Sequence, residues 1–304
     1  MAVPIREDDI FAEFDRRCEE GLIFYDDKPE IHLPSFDGFQ FEFAVTAAIS
    51  KKPYIKDNKD EPKAATATAK RPPGYAPGSD IDISGYEIGD VSQTHLLAFN
   101  KFCMYRPHLL LLTKDGYKRQ YDQLDLDDIQ SAWNVLEALN WNYFVFFNCG
   151  KEGGCSRLHK HLQLTPYLPD RLAPWPAMSR RPAHIPYQYI LRGFDDDLGP
   201  KQLFDVYTQM VDEARRILDP GAATSSYVPH NFMLGRNWML VIPRRKAGVG
   251  GAYSNTLGLL GMVSVASNDE LRCWLDQGPL GVIQQLGVLR HSNGAAQGIN
   301  GDHL

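Results

Sequence analysis

Cysteine is scarce in this chain. Only five occur in 304 residues, at positions 18, 103, 149, 155 and 273. An odd, scattered set excludes a disulfide-stapled scaffold and points to a reducing compartment, the cytoplasm or the nucleus. Cys149 and Cys155 flank a glycine cluster, but their spacing matches no zinc knuckle. No apolar run reaches the roughly 18 residues a membrane-spanning helix needs. The start, Met1-Ala-Val-Pro-Ile-Arg-Glu-Asp-Asp, has no basic segment leading into an apolar stretch, so no secretory signal is expected. Positive charge is not in excess either: 32 Lys and Arg face 38 Asp and Glu, a net of −6. A nucleic-acid footprint is therefore not expected, and an anionic ligand must be met by local cations or backbone N–H groups. No internal repeat and no regular βαβ rhythm are present, which favours an α+β fold over a doubly wound sheet.

What is present can bury a sizeable core in one large domain or two smaller ones. Residues 8–23 read as an amphipathic helix through Ile10, Phe14 and Cys18. Phe39, Phe41, Phe43 and Val45 alternate as a half-buried strand that runs into Ser50-Lys51-Lys52-Pro53. Residues 56–80 are charged, then small, then proline-rich, and are expected to form a mobile insertion or lid. Strands are expected at Leu96–Phe99, Leu109–Leu112 and Tyr143–Phe147, and a helix over Asp127–Leu139. Pro166, Pro169, Pro174, Pro176, Pro182 and Pro186 punctuate a crossing with little regular structure. A strong helix follows over 201–218, stopped by Asp219-Pro220-Gly221, then a hairpin of Asn231–Leu234 and Trp238–Ile242. A short helix spans Asp269–Trp274, and the tail from Pro279 ends in polar residues expected to be loose.

The chain's most unusual stretch is Asn148–Thr165, reading NCGKEGGCSRLHKHLQLT. Strand alternation places His159, His161, Gln163 and Thr165 on one face and Lys160, Leu162 and Leu164 on the other. Three readings compete. The pair could sit on a wet strand face. It could ligate a metal, but no third ligand lies at a recognisable spacing, and Gln163 and Thr165 are poor ligands. Or a neutral imidazole attacks phosphorus, splitting one displacement into two. The glycines of 150–156 would then bring N–H groups to the phosphate oxygens, and Gln163 would contact a bridging or leaving oxygen.

His159-Lys160-His161-Leu162-Gln163 resembles the H-x-H-x-Q signature of the nucleotidyl-transferase branch of the histidine-triad superfamily. More narrowly, the chain resembles the fungal diadenosine tetraphosphate phosphorylases, also called ATP adenylyltransferases. The likeness extends through Ser50–Pro53, Gly89–His95, Asn100–Phe102, His108–Lys114, Trp238–Lys246, Asn255–Gly258 with Gly261-Met262, and Gly278–Leu280. It implies a histidine-triad-like α+β fold, with a mixed, mainly antiparallel sheet flanked by helices. Residues 1–180 would form the catalytic part and 200–304 would complete the nucleotide site, in one compact unit. It implies that His161 takes AMP from diadenosine tetraphosphate with loss of ATP, and that phosphate resolves the adduct to ADP; ATP adenylyl transfer is the reverse. His159 would support the nucleophile and Gln163 contact the reacting phosphate. Lys52 would reach the polyphosphate, and His108 would buttress the catalytic strand. Asn100, Asn148, Gly154, Cys155, Ser156, Arg157, Asn231, Arg244, Lys246 and Asn255 would bind substrate. No metal is expected in the chemistry, Mg²⁺ at most accompanying the polyphosphate. Where the family reads Gly-Ala-Ser-Gln-Pro, this chain has Gly154-Cys155-Ser156-Arg157-Leu158. That departure leaves open a relative redirected to another nucleotide or reaction, or a non-catalytic nucleotide-binding protein.

Overall fold

A computed structural model describes residues 6–50, 76–194, 198–221 and 227–290. Helix α1 runs Glu7–Glu19 and buries Ile10 and Phe14. Helix α2, Leu126–Ala138, opens on a reciprocal capping box between Asp125 and Asp128. Helix α3, Pro200–Leu218, starts with proline at its first position and turns Leu203, Tyr207, Met210, Val211 and Ala214 inward.

Eight strands form one wholly antiparallel sheet. Its order is Ile190–Gly193, Trp238–Pro243, His230–Leu234, Tyr143–Cys149, His161–Pro166, Leu109–Thr113, His95–Phe99 and Glu87–Asp90. The His161–Pro166 strand is thus interior, with Gln163 opposite both Phe146 and Leu110. Its histidine is no wet-edge residue: His161 is only 6% exposed. One face of the sheet packs against α1, α2 and α3 through Val145, Phe147, Leu162 and Leu164. The other meets a second core containing Phe144, Phe146, Met233 and Leu240. That second core includes the mixed sheet of Met262–Val265, Glu42–Val45 and Glu30–His32, whose first pairing is parallel.

Several expectations need correction. Glu42–Val45 is not half-buried: Glu42 is 1% exposed beside buried Phe43 and Ala44. Glu42 is tolerated there because Arg171 and the Leu172 N–H bond its carboxylate (2.7 Å each). The tail from Pro279 first makes a helix, Pro279–Leu286, burying Val282, Ile283 and Leu286. The polar end expected to be loose falls on 291–304, outside the described residues, as does most of the expected lid, 56–75. Of the described end of that expected insertion, 76–80, Ser79 and Asp80 bond the histidine segment. The strands Glu30–His32, Ile190–Gly193 and Met262–Val265 had no sequence signal long enough to register. Among the described residues, no helix is long and apolar enough to cross a membrane.

Candidate active site

His161 begins its strand, and its own backbone is gripped by one side chain. Gln120, fully buried, accepts from the His161 N–H through Oε1 (2.8 Å). Its Nε2 donates to the carbonyls of His161 (3.0 Å) and Asn148 (3.2 Å). The His161 ring is set by its Nδ1, 2.8 Å from the His159 carbonyl oxygen. A carbonyl only accepts, so Nδ1 carries a proton, and in the neutral ring Nε2 then carries the lone pair.

His159 does something different from its neighbour. Its Nε2–H donates to the Thr113 carbonyl (2.9 Å), and Nδ1 lies 2.8 Å from the Ser79 hydroxyl. Burial holds this imidazole below the usual histidine range, against the Thr113 carbonyl, which favours the charged form. With both ring nitrogens engaged, His159 is ill placed to ligate a metal. Among the described residues, no group of three or more His, Cys, Asp or Glu could hold one.

Gln163 is oriented through its Oε1, which accepts from His108 Nε2 (3.0 Å), and this fixes which end of the amide is the donor. Asn100 leans on the His108 ring (3.3 and 3.4 Å) and caps Phe102 N–H (3.1 Å), so it acts behind Gln163 rather than beside His161.

Asn148 and Asn231 are direct cross-strand partners, which is why residues 83 apart meet. Asn231 Nδ2 donates to Asn148 Oδ1 (3.1 Å) and to the Gly153 carbonyl (2.7 Å). Thr256 donates to the same Asn148 oxygen from its N–H (2.9 Å) and hydroxyl (2.7 Å). Arg244, expected as a substrate contact, is instead fully buried. Its guanidinium bonds Asn231 Oδ1 and the carbonyls of Gly153, Lys246, Ser254 and Leu286. Burial pushes it down to about 9. It pins the glycine loop. Asn255, half-buried, caps the short helix Thr256–Leu259 (3.0 Å to Leu257 N–H). Lys246 enters this network through its carbonyl.

The glycine loop is shaped by close approach. Gly154 has φ +82°, and a Cβ there would lie 2.4 Å from the Ser254 carbonyl. Not all its N–H groups face outward, as a phosphate cradle would need: those of Gly150, Gly154 and Cys155 bond Gln120, Lys151 and Gly150 carbonyls. Burial pushes the Cys155 thiol up to about 12, so it stays protonated. Arg157 Nη1 folds back on the Ser156 carbonyl (2.7 Å). Lys52 lies outside the described residues. Sequence reasoning missed Ser79, Asp80, Thr113, Gln120 and Thr256 as functional residues, although Thr113 and Thr256 lie inside blocks of the family likeness.

The site combines an imidazole whose Nδ1 meets a carbonyl at the start of an interior strand, a glycine loop pinned by Arg244 and an amide held by His108. Two family models divide the chain. The Ap4A phosphorylase N-terminal domain matches 31–178, and the ATP adenylyltransferase C-terminal domain matches 183–289. The chain is 28% identical over 268 residues to diadenosine 5',5'''-P1,P4-tetraphosphate phosphorylase 2 of Saccharomyces cerevisiae, covering 76% of this chain and 78% of that one. It is 24% identical over 278 residues to Protein APA1 of the same yeast, covering 78% and 84%. The fold is similar to that of yeast Ap4A phosphorylase Apa2 in complex with AMP, with TM-score 0.72 and 18% identity over 97% of this chain and 100% of the other. With Apa2 in complex with Ap4A the TM-score is 0.68 and the identity 19%, over 95% and 99%. With its H-x-H-x-Q strand seated in this fold, the chain belongs to the Ap4A phosphorylase and ATP adenylyltransferase family.

Proposed function

We propose that this protein is a nucleotidyltransferase that cleaves diadenosine tetraphosphate with phosphate to ATP and ADP, and runs ATP adenylyl transfer in reverse. The observation that carries the reading is the 2.8 Å contact from His161 Nδ1 to the His159 carbonyl, which commits the lone pair to Nε2. Nε2 attacks an α-phosphorus; the N–P bond forms as the P–O bond to the departing ATP breaks. A phosphate oxygen then attacks the same phosphorus, breaking the N–P bond and releasing ADP. Each step is easier than direct exchange between two anions. The positive charge that bonding places on the imidazole is shared with the His159 carbonyl through Nδ1–H. The Gln163 amide, turned by His108, suits the leaving oxygen. Asn148, Gly154, Ser156 and Arg157 line the phosphate side in this reading, with Lys52 reaching further along the polyphosphate and Mg²⁺ as its counter-ion. Five free thiols fit a reducing compartment, the cytoplasm or nucleus.

The test is direct. Protein incubated with α-phosphate-labelled ATP or diadenosine tetraphosphate should acquire an acid-labile, base-stable label, and His161→Asn should acquire none. An unlabelled wild type, or an equally labelled variant, removes the nucleophile and leaves a nucleotide-binding protein.

A further inference from the structure

From Leu158 to His161 every backbone polar group has a named partner. Leu158 and Lys160 carbonyls accept from Gln120 N–H (2.8 Å) and Thr113 N–H (3.3 Å), and Lys160 N–H donates to Lys118 (3.1 Å). His161 is held at both ends by Gln120. The His159 carbonyl receives the His161 ring. The two N–H groups just before that carbonyl go to a single carboxylate: Asp80 Oδ2 accepts from Leu158 and Oδ1 from His159, each at 2.8 Å. Its chain neighbour Ser79 meets the His159 ring.

A carboxylate beside a site for polyphosphate repels the substrate, so its presence calls for a gain elsewhere. The gain visible here is geometric. Charge-assisted bonds from one rigid fork fix two successive peptides better than two neutral acceptors would. Asp80 sets the N–H side of His159, Ser79 and Thr113 set its ring, and Lys118 holds the Lys160 N–H. The peptide plane that presents the His159 carbonyl to His161 Nδ1 then has one orientation.

We propose that Asp80, assisted by Ser79, is a positioning residue that fixes the His159–Lys160 peptide and thereby the tautomer of the His161 imidazole. The proposal rests on His161 being the nucleophile, as argued above.

The test uses full-length protein labelled with nitrogen-15 histidine. Long-range proton–nitrogen spectra separate protonated from bare ring nitrogens, and His161 signals are assigned by their loss in His161→Asn. The wild type should show the Nδ1–H tautomer alone. Asp80→Asn keeps one acceptor of two and should show a mixture. Its kcat for phosphorolysis should fall roughly 10- to 100-fold with KM within about threefold. Ser79→Ala should move both readouts the same way by a smaller factor, and decides the matter if Asp80→Asn fails to fold. An unmoved tautomer in the folded variants overturns the proposal, whatever kcat does, and so does an unmoved kcat. If the wild type forms no labelled adduct, the functional reading falls while the spectra still decide whether Asp80 orients His161.

Discussion

At the residue scale, a histidine outside the motif shows how position decides protonation. His230 is buried among neutral groups. Its Nδ1–H donates to the Val228 carbonyl (2.7 Å), and Nε2 lies 3.1 Å from the Tyr207 hydroxyl. Burial pushes it from 6.5 to about 4. Between those values the unfolded chain binds a proton that the folded protein refuses. Stability is therefore lost as pH falls through that window. On going from pH 7 to 4, urea denaturation should show the wild type losing about 3 kcal/mol more than His230→Gln. Equal losses would remove His230 as a source of acid sensitivity. Legibility at this scale followed sequence distance. His161 and Gln163 were readable because alternation along one strand is local, while His159 precedes that strand and forms only an isolated bridge with Arg119. Gln120, Asp80 and Thr256 were not, since their partners lie 41, 78 and 108 residues away. Arg244 was misread because a basic residue after a strand signals an anion only if its donors face outward.

At the element scale, the segment entering the His161 strand is tied to α2. Lys160, 1% exposed, donates to Asp128 Oδ2 (2.5 Å) and to the Gln123 carbonyl (2.7 Å). His95 Nε2 meets Asp128 Oδ1 (2.9 Å). Burial opposes ionisation of Asp128, but His95 and Lys160 outweigh it and hold the carboxyl below its usual range. The same carboxylate closes the capping box of α2 through the Asp125 N–H (2.7 Å). One side chain thus joins the helix, the segment entering the His161 strand and the His95–Phe99 strand, two places away in the sheet. Removing one partner of a buried pair leaves an uncompensated charge, so Lys160→Met should cost about 3 kcal/mol of stability. A urea midpoint unchanged from wild type would show that His95 alone satisfies Asp128. Alternation predicted that Lys160 points away from the histidines, but not that it is buried. That required α2 to supply the counter-charge.

For the whole molecule, strand order matters more than chain order. The pair Asn231/Asn148 exists because the His230–Leu234 strand lies beside Tyr143–Cys149. The small sheet likewise joins Glu42–Val45 to Met262–Val265. A fragment of residues 1–180 would expose the edge of Tyr143–Cys149 and lose the second core's C-terminal side. Expressed alone it should show no cooperative thermal transition, and co-expression with 181–304 should restore one. A cooperative melt of the fragment alone would make the two parts independent domains. The sequence by itself determined the strands and helices with strong local periodicity, the strand that carries His161 and Gln163, and the family. Those depend on residues a few positions apart. Tertiary structure alone decided which group meets the His161 ring, which loop N–H groups are already spent, and that Arg244 is buried. Each of those depends on where a distant donor or acceptor ends up, and only the assembled sheet brings such groups within hydrogen-bonding distance.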